Sequence, residues 1–181
     1  MQTIFDYLDW RGDLTFQKDP FNEVDNLVLS VLSYMEFEGV VPGEGVRGGI
    51  SLAEAAEHFK APKEDPEPVY NKEFYNNLPK LLLGCAQTER FKDLQLSHYV
   101  NEVDFEKTKQ FSALVFSQNW RTHFIAFSGT GETLAGWKED LQMSFKSAVP
   151  AQKQAATYTK KAMSDMPGRF MLGGHSKGGN L

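Results

Sequence analysis

The segment with the clearest chemical potential is Gly174-His175-Ser176-Lys177-Gly178. A serine with glycine two positions away on either side follows a run that reads as a strand, Arg169-Phe170-Met171-Leu172-Gly173, and precedes one that reads as a helix start. A nucleophilic serine in this setting must sit on a strained strand-to-helix turn with its oxygen exposed. Only residues without a side chain, here Gly174 and Gly178, let the two backbone segments approach closely enough. At such a turn the backbone amide of Lys177 points toward a reacting carbonyl and, aided by the helix dipole, stabilises a developing oxyanion. A second donor is expected in Phe127-Ser128-Gly129-Thr130-Gly131, where the amide of Thr130, with its hydroxyl assisting, is the candidate. The plainer role for that loop is turn formation and capping of a helix near Thr133.

The elements that must position these residues are legible in part. Asn22 is placed to cap a helix whose apolar residues, Val24, Leu27, Val28, Val31, Leu32 and Met35, share one face, with Gly39 ending it. The loop from Gly39 to Gly49 holds five glycines, and Ser51-Leu52-Ala53-Glu54 is a capping box opening a short helix to Phe59. Residues 61–68, with three prolines and three acidic side chains, read as an extended connector, and 71–83 as a helix with a kink at Pro79. After Cys85 the pattern changes to strands: alternation over 94–100, then 111–117 and 122–127 around Gln118-Asn119-Trp120-Arg121 as a hairpin. Leu134, Trp137, Leu141 and Phe145 form a helical stripe expected to face the core, the other use of such a stripe being a mobile lid or lipid-facing helix. Pro150 opens a second helix that Gly168 stops. Strand, helix pair, strand is a crossover unit, so 122–127 and 170–173 are predicted to be parallel neighbours, with loops 128–131 and 174–178 converging on one crevice.

Composition narrows the function classes. Hydrophobic residues at 41% and aromatics at 13% supply a packed core, and 19 basic against 24 acidic side chains leave a net charge of −5, unsuited to non-specific binding of nucleic acid. The single cysteine, Cys85, excludes an intrachain disulfide and a thiolate metal cluster, and is read as a small buried hydrophobe in a reduced, cytoplasmic setting. No signal peptide is read at the N-terminus and no stretch is long and apolar enough for stable membrane insertion. Gly43-Glu44-Gly45-Val46-Arg47-Gly48 matches a dinucleotide fingerprint in letters, but a helix and not a strand precedes it and Glu44 would face a pyrophosphate. No His, Cys and carboxylate grouping has metal-ligand spacing, so neither metal nor cofactor is expected.

The pairing of Phe127-Ser128-Gly129-Thr130 and Leu134-Ala135-Gly136-Trp137 with Gly174-His175-Ser176-Lys177-Gly178-Gly179 resembles class 3 lipases, although Ser128 stands where those enzymes often carry arginine. Upstream, residues 6–13 (Asp6-Tyr7-Leu8-Asp9-Trp10-Arg11-Gly12-Asp13) and 20–26 (Pro20-Phe21-Asn22-Glu23-Val24-Asp25-Asn26) look like the N-terminal signature of the bacterial Mbeg-like group of lipase-like α/β-hydrolases. The resemblance implies an α/β-hydrolase fold, a helical extension over 1–84 and the N-terminal part of the hydrolase core over 85–181. It also implies a Ser-Asp-His triad for acyl transfer on a small acyl ester or lipid-like substrate. In that fold the acid and histidine follow the serine, so both are expected beyond Leu181, and the 181-residue chain alone is expected to be inactive and prone to self-association. His58, His98, His123 and His175 are read as structural or solvated. The alternative function is a non-catalytic hydrolase-fold module that binds an acyl ligand or a protein partner.

Overall fold

The computed structural model describes residues 3–60, 71–131 and 133–181. The N-terminal part is built from four helices: α1 (Ile4–Arg11), α2 (Glu23–Leu32), α3 (Leu52–His58) and α4 (Lys72–Ala86). The two-residue β1 (Ile50–Ser51) precedes α3. Then follow β2 (Gln95–Asp104), β3 (Lys109–Asn119), β4 (Thr122–Phe127), α5 (Leu134–Met143), α6 (Pro150–Asp165) and β5 (Arg169–Gly174), with a 3-10 turn over Ser176–Asn180. The connector expected over 61–68 lies outside the described residues.

Local chemistry starts the first three helices. Thr3, Asn22 and Ser51 each accept from backbone amides of the first turn, while Asp6, Asp25 and Glu54 reach back to the cap residue, so orphan donors are satisfied in both directions. α2 ends at Leu32, short of Met35 and Gly39. Ser33 donates its hydroxyl to the Ser30 carbonyl, and the amides of Tyr34 and Met35 switch to carbonyls three residues back, which tightens and ends the helix. α4 runs past the expected 83 to Ala86 and carries Pro79 within it.

The sheet runs in the order β1-β2-β3-β4-β5. The first four strands are antiparallel, and β4 and β5 are parallel in the register Thr122↔Arg169 to Phe127↔Gly174, joined through α5 and α6. The hairpin and the crossover are therefore present as expected. β2 is longer than expected and carries an irregularity between Ser97 and Val100, where His98 takes a φ of +55°.

Alternation along β3 and β4 separates two cores. Leu114, Phe116, Phe124 and Ala126 pack with the apolar faces of α1 to α4, whereas Phe111, Ala113, Val115, Ile125 and Phe127 pack against Ala151, Ala155, Tyr158 and Ala162 of α6. Helices thus cover both faces, which accounts for the nearly unbroken apolar run of β3. The N-terminal helices share their core with the sheet. Among the described residues no helix is long and apolar enough to cross a membrane.

α5 corrects the expectation that its apolar stripe faces inward. Leu134, Trp137, Leu141 and Phe145 are 74%, 49%, 70% and 73% exposed, while the opposite side buries Ala135, Gly136 and Glu139. Small residues on that side permit the approach: a methyl carbon on Gly136 would stand 2.0 Å from Gln110 Oε1 and 2.8 Å from Thr130 Cγ2.

A buried polar knot fastens the N-terminal region. Arg90 donates through Nε and Nη2 to both oxygens of Asp25, at 2.6 and 2.5 Å, and also donates to the carbonyls of Leu14, Asp19 and Pro20. Asp25 further accepts from the Tyr7 hydroxyl and the Asn22 amide, both at 2.9 Å. Arg90→Ala strands a buried carboxylate and is expected to cost about 3–5 kcal/mol, whereas Leu141→Ser on the exposed stripe is expected to stay within about 0.5 kcal/mol. Urea unfolding of both variants checks the contrast.

Candidate active site

β5 leads directly into the site. His175 is still extended, at φ −108° and ψ 141°, and Ser176 then turns to φ +56°, a left-handed conformation that costs a residue with a side chain roughly 1–2 kcal/mol. The Gly178 amide donates back to the His175 carbonyl at 3.0 Å, closing the turn. The two glycines are required by contact. A methyl carbon on Gly174 would lie 2.3 Å from the Gly178 carbonyl, and one on Gly178 would lie 2.1 Å from the Phe127 carbonyl at the end of β4. The turn leaves Ser176 exposed and buries Lys177 and Gly178.

The Lys177 side chain does something that its sequence context did not show. It enters the protein and donates from Nζ to Glu139 at 3.0 Å and to the Gln110 carbonyl at 2.9 Å. Glu139 is fully buried and each of its oxygens is used: Oε1 accepts from the Ala151 amide at 2.8 Å, and Oε2 from the Gln110 amide at 3.0 Å as well as from Lys177. The ammonium is thereby committed to the protein, so an oxyanion contact from this residue would have to come from its backbone amide.

The loop 128–131 lies against the turn. A methyl carbon on Gly129 would stand 2.7 Å from the His175 carbonyl and 3.0 Å from Ser176 Cβ, so only a glycine fits here against the turn. Thr130 follows it, with its hydroxyl donating to Asp140 of α5 at 2.5 Å. In place of an arginine at position 128, Gln110 and Ser112 anchor the loop. Gln110 Oε1 accepts from the Gly131 amide at 3.0 Å and the Thr133 hydroxyl at 3.2 Å, and the Ser128 amide donates to the Ser112 carbonyl at 3.1 Å.

The N-terminal helices supply a wall that sequence reasoning missed. The Tyr34 hydroxyl bonds His175 Nδ1 at 2.9 Å and also takes part in a hydrogen bond with the Gly129 backbone. Burial pushes this hydroxyl well above its ordinary titration range, so it stays protonated near neutrality. Phe74 stacks on the His175 ring at 5.9 Å and meets Tyr34 edge-on at 5.0 Å. Nothing local in the sequence marks these two aromatics, because their partners lie on distant elements.

The remaining histidines fall elsewhere. His58 closes α3. His98 faces Asp165 at 3.5 Å and has its pKa lowered, chiefly by burial. His123, the second residue of β4, bridges Ser117 and the Pro167 carbonyl, at the end of the strand away from Phe127. None of the hydrogen bonds among the described residues joins Ser176 Oγ to a histidine ring.

Strain at Ser176 is measurable without any activity. Ser176→Ala and Ser176→Gly both remove the hydroxyl, but only glycine relieves the left-handed φ, so the glycine variant is expected to unfold about 0.5–1 kcal/mol later than the alanine variant in urea. Glu139→Gln, which leaves the Lys177 ammonium buried without its counter-charge, is expected to cost about 3–5 kcal/mol by the same measurement.

The sequence profile of the Mbeg1-like family matches residues 85–181. Comparison with curated proteins and with solved structures returns no match. The matched span holds β2 to β5, the loop 128–131 and the turn at Ser176, and with more than half its length inside the profile this chain belongs to the Mbeg1-like family.

Proposed function

We propose that the protein is a serine hydrolase of α/β-hydrolase type that transfers acyl groups from esters or thioesters through Ser176. One observation carries the reading: an exposed serine held at φ +56° directly after a parallel strand, with Gly174 and Gly178 crossed tightly beneath it. A left-handed non-glycine residue persists only where its surroundings over-determine it, and such strain gathers at functional turns.

In the proposed reaction Ser176 Oγ attacks the acyl carbonyl carbon and its proton passes to a general base. Negative charge collects on the carbonyl oxygen, which the amides of Lys177 and Thr130 receive. Collapse of the tetrahedral intermediate breaks the bond to the leaving alcohol or thiol, which takes the proton, and water then releases the acid from the acyl-enzyme by the same route. Base and acid are assigned to a histidine and a carboxylate other than the described side chains around Ser176. Neither metal nor cofactor enters this scheme. The lone thiol Cys85 is buried, in keeping with a reducing, cytoplasmic setting.

Protein expressed from the complete reading frame is expected to hydrolyse p-nitrophenyl butyrate and to react with a fluorophosphonate probe, with Ser176→Ala abolishing labelling and lowering kcat by at least about 10³-fold. Turnover that survives Ser176→Ala refutes the assignment. An inert protein that still binds acyl ligands favours the non-catalytic module.

A further inference from the structure

Phe74, which stacks on His175, also lines a cleft of about 280 Å³ between α1, the last turn of α2 and α4. Ile4, Phe5, Val31, Phe74, Leu78 and Leu81 make most of its wall, and none of its described lining residues is charged. Thr3 and Asn77 are its polar lining residues, and a charged ligand would find no opposite charge there to offset its lost hydration. An aliphatic chain fits both the chemistry and the size: at roughly 30 Å³ per water-sized group the cleft takes on the order of eight or nine methylenes.

Phe74 connects this cleft to the serine. Its ring lines the cleft, stacks on His175 and packs edge-on against Tyr34. The Tyr34 hydroxyl and Ser176 Cβ in turn both lie within 3.0 Å of one point beside Gly129, the position a methyl carbon there would occupy. Phe74 therefore touches both the apolar space and the residue that precedes Ser176. We infer that the cleft between α1, α2 and α4 receives the aliphatic chain of a medium-length acyl substrate, the chain running along Phe74 from the carbonyl held at Ser176. The inference rests on the reading of Ser176 as the acyl-accepting group. It assigns chain-length selectivity to the N-terminal helices, outside the span matched by the family profile.

The test uses protein from the complete reading frame, p-nitrophenyl acetate, butyrate, octanoate and laurate, and calorimetric binding of octanoate to Ser176→Ala. Each methylene that enters the cleft multiplies kcat/KM by roughly 3–4, so octanoate is expected to exceed butyrate by about 100-fold. Ile4→Trp fills the cleft from its half-buried rim and Leu78→Phe from α4. Either is expected to cut the octanoate-to-butyrate ratio below about tenfold while acetate turnover stays within about twofold. A ratio near one in the unaltered protein, or one that both substitutions leave unchanged, overturns the inference. If no ester is turned over at all, the serine reading fails and binding decides the cleft separately. Octanoate that binds Ser176→Ala and is weakened at least tenfold by adding Ile4→Trp upholds the cleft as an aliphatic site, and absence of octanoate binding overturns it.

Discussion

The geometry around Ser176 depends on one buried ion pair. Lys177 and Glu139 are both withdrawn from water, an arrangement whose desolvation cost is met only when close geometry is joined by further hydrogen bonds. Here the partners come from separate elements: the start of β3 through Gln110, the first turn of α6 through Ala151, α5 through Glu139 itself, and the turn through Lys177. Gln110 then uses its side chain to hold Gly131 and Thr133. A single residue of β3 thus fixes the loop after β4 with its amide oxygen and the turn after β5 with its backbone.

Around that pair, the close approach of backbones follows from what is missing. Gly129, Gly174 and Gly178 bring the ends of β4 and β5 into contact, and Ala151, Ala155 and Ala162 let α6 lie near the sheet. Larger residues at these places would separate the layers and pull Glu139 from the Ala151 amide. The left-handed backbone of Ser176 is held by the same contacts, since Gly178 bonds back to His175 and Gly174 is pressed against Phe127.

How much of this was legible in the sequence depends on how local the cause is. The caps at Asn22 and Ser51, the hairpin at 118–121 and the crossover ending at β5 are decided within a few residues or by a handedness rule, and each is present. The glycine requirement around Ser176 is local as well. The facing of α5 is not. Spacing shows that Leu134, Trp137, Leu141 and Phe145 share a side, but which side meets the sheet is set by the fit of Gly136 against Gln110 and by Glu139 meeting Lys177, 38 positions away. Asp25 and Arg90, 65 positions apart, and Tyr34 and His175, 141 apart, are equally invisible to periodicity. Membership of the Mbeg1-like family is shown by the profile match over residues 85–181.

The 141-residue separation between Tyr34 and His175 also bears on time. A ribosome releases the N-terminal helices long before β5, and contacts that span most of a chain close late because loop entropy must be overcome first. Helices α1 to α4 can gather around Arg90 while the sheet is still incomplete, but the serine turn acquires its aromatic wall only when β5 docks beside β4. Nascent or partly unfolded chains therefore present Ser176 without these surroundings, and the bond between Tyr34 and His175 becomes a report on whether the early helices and β5 have found each other.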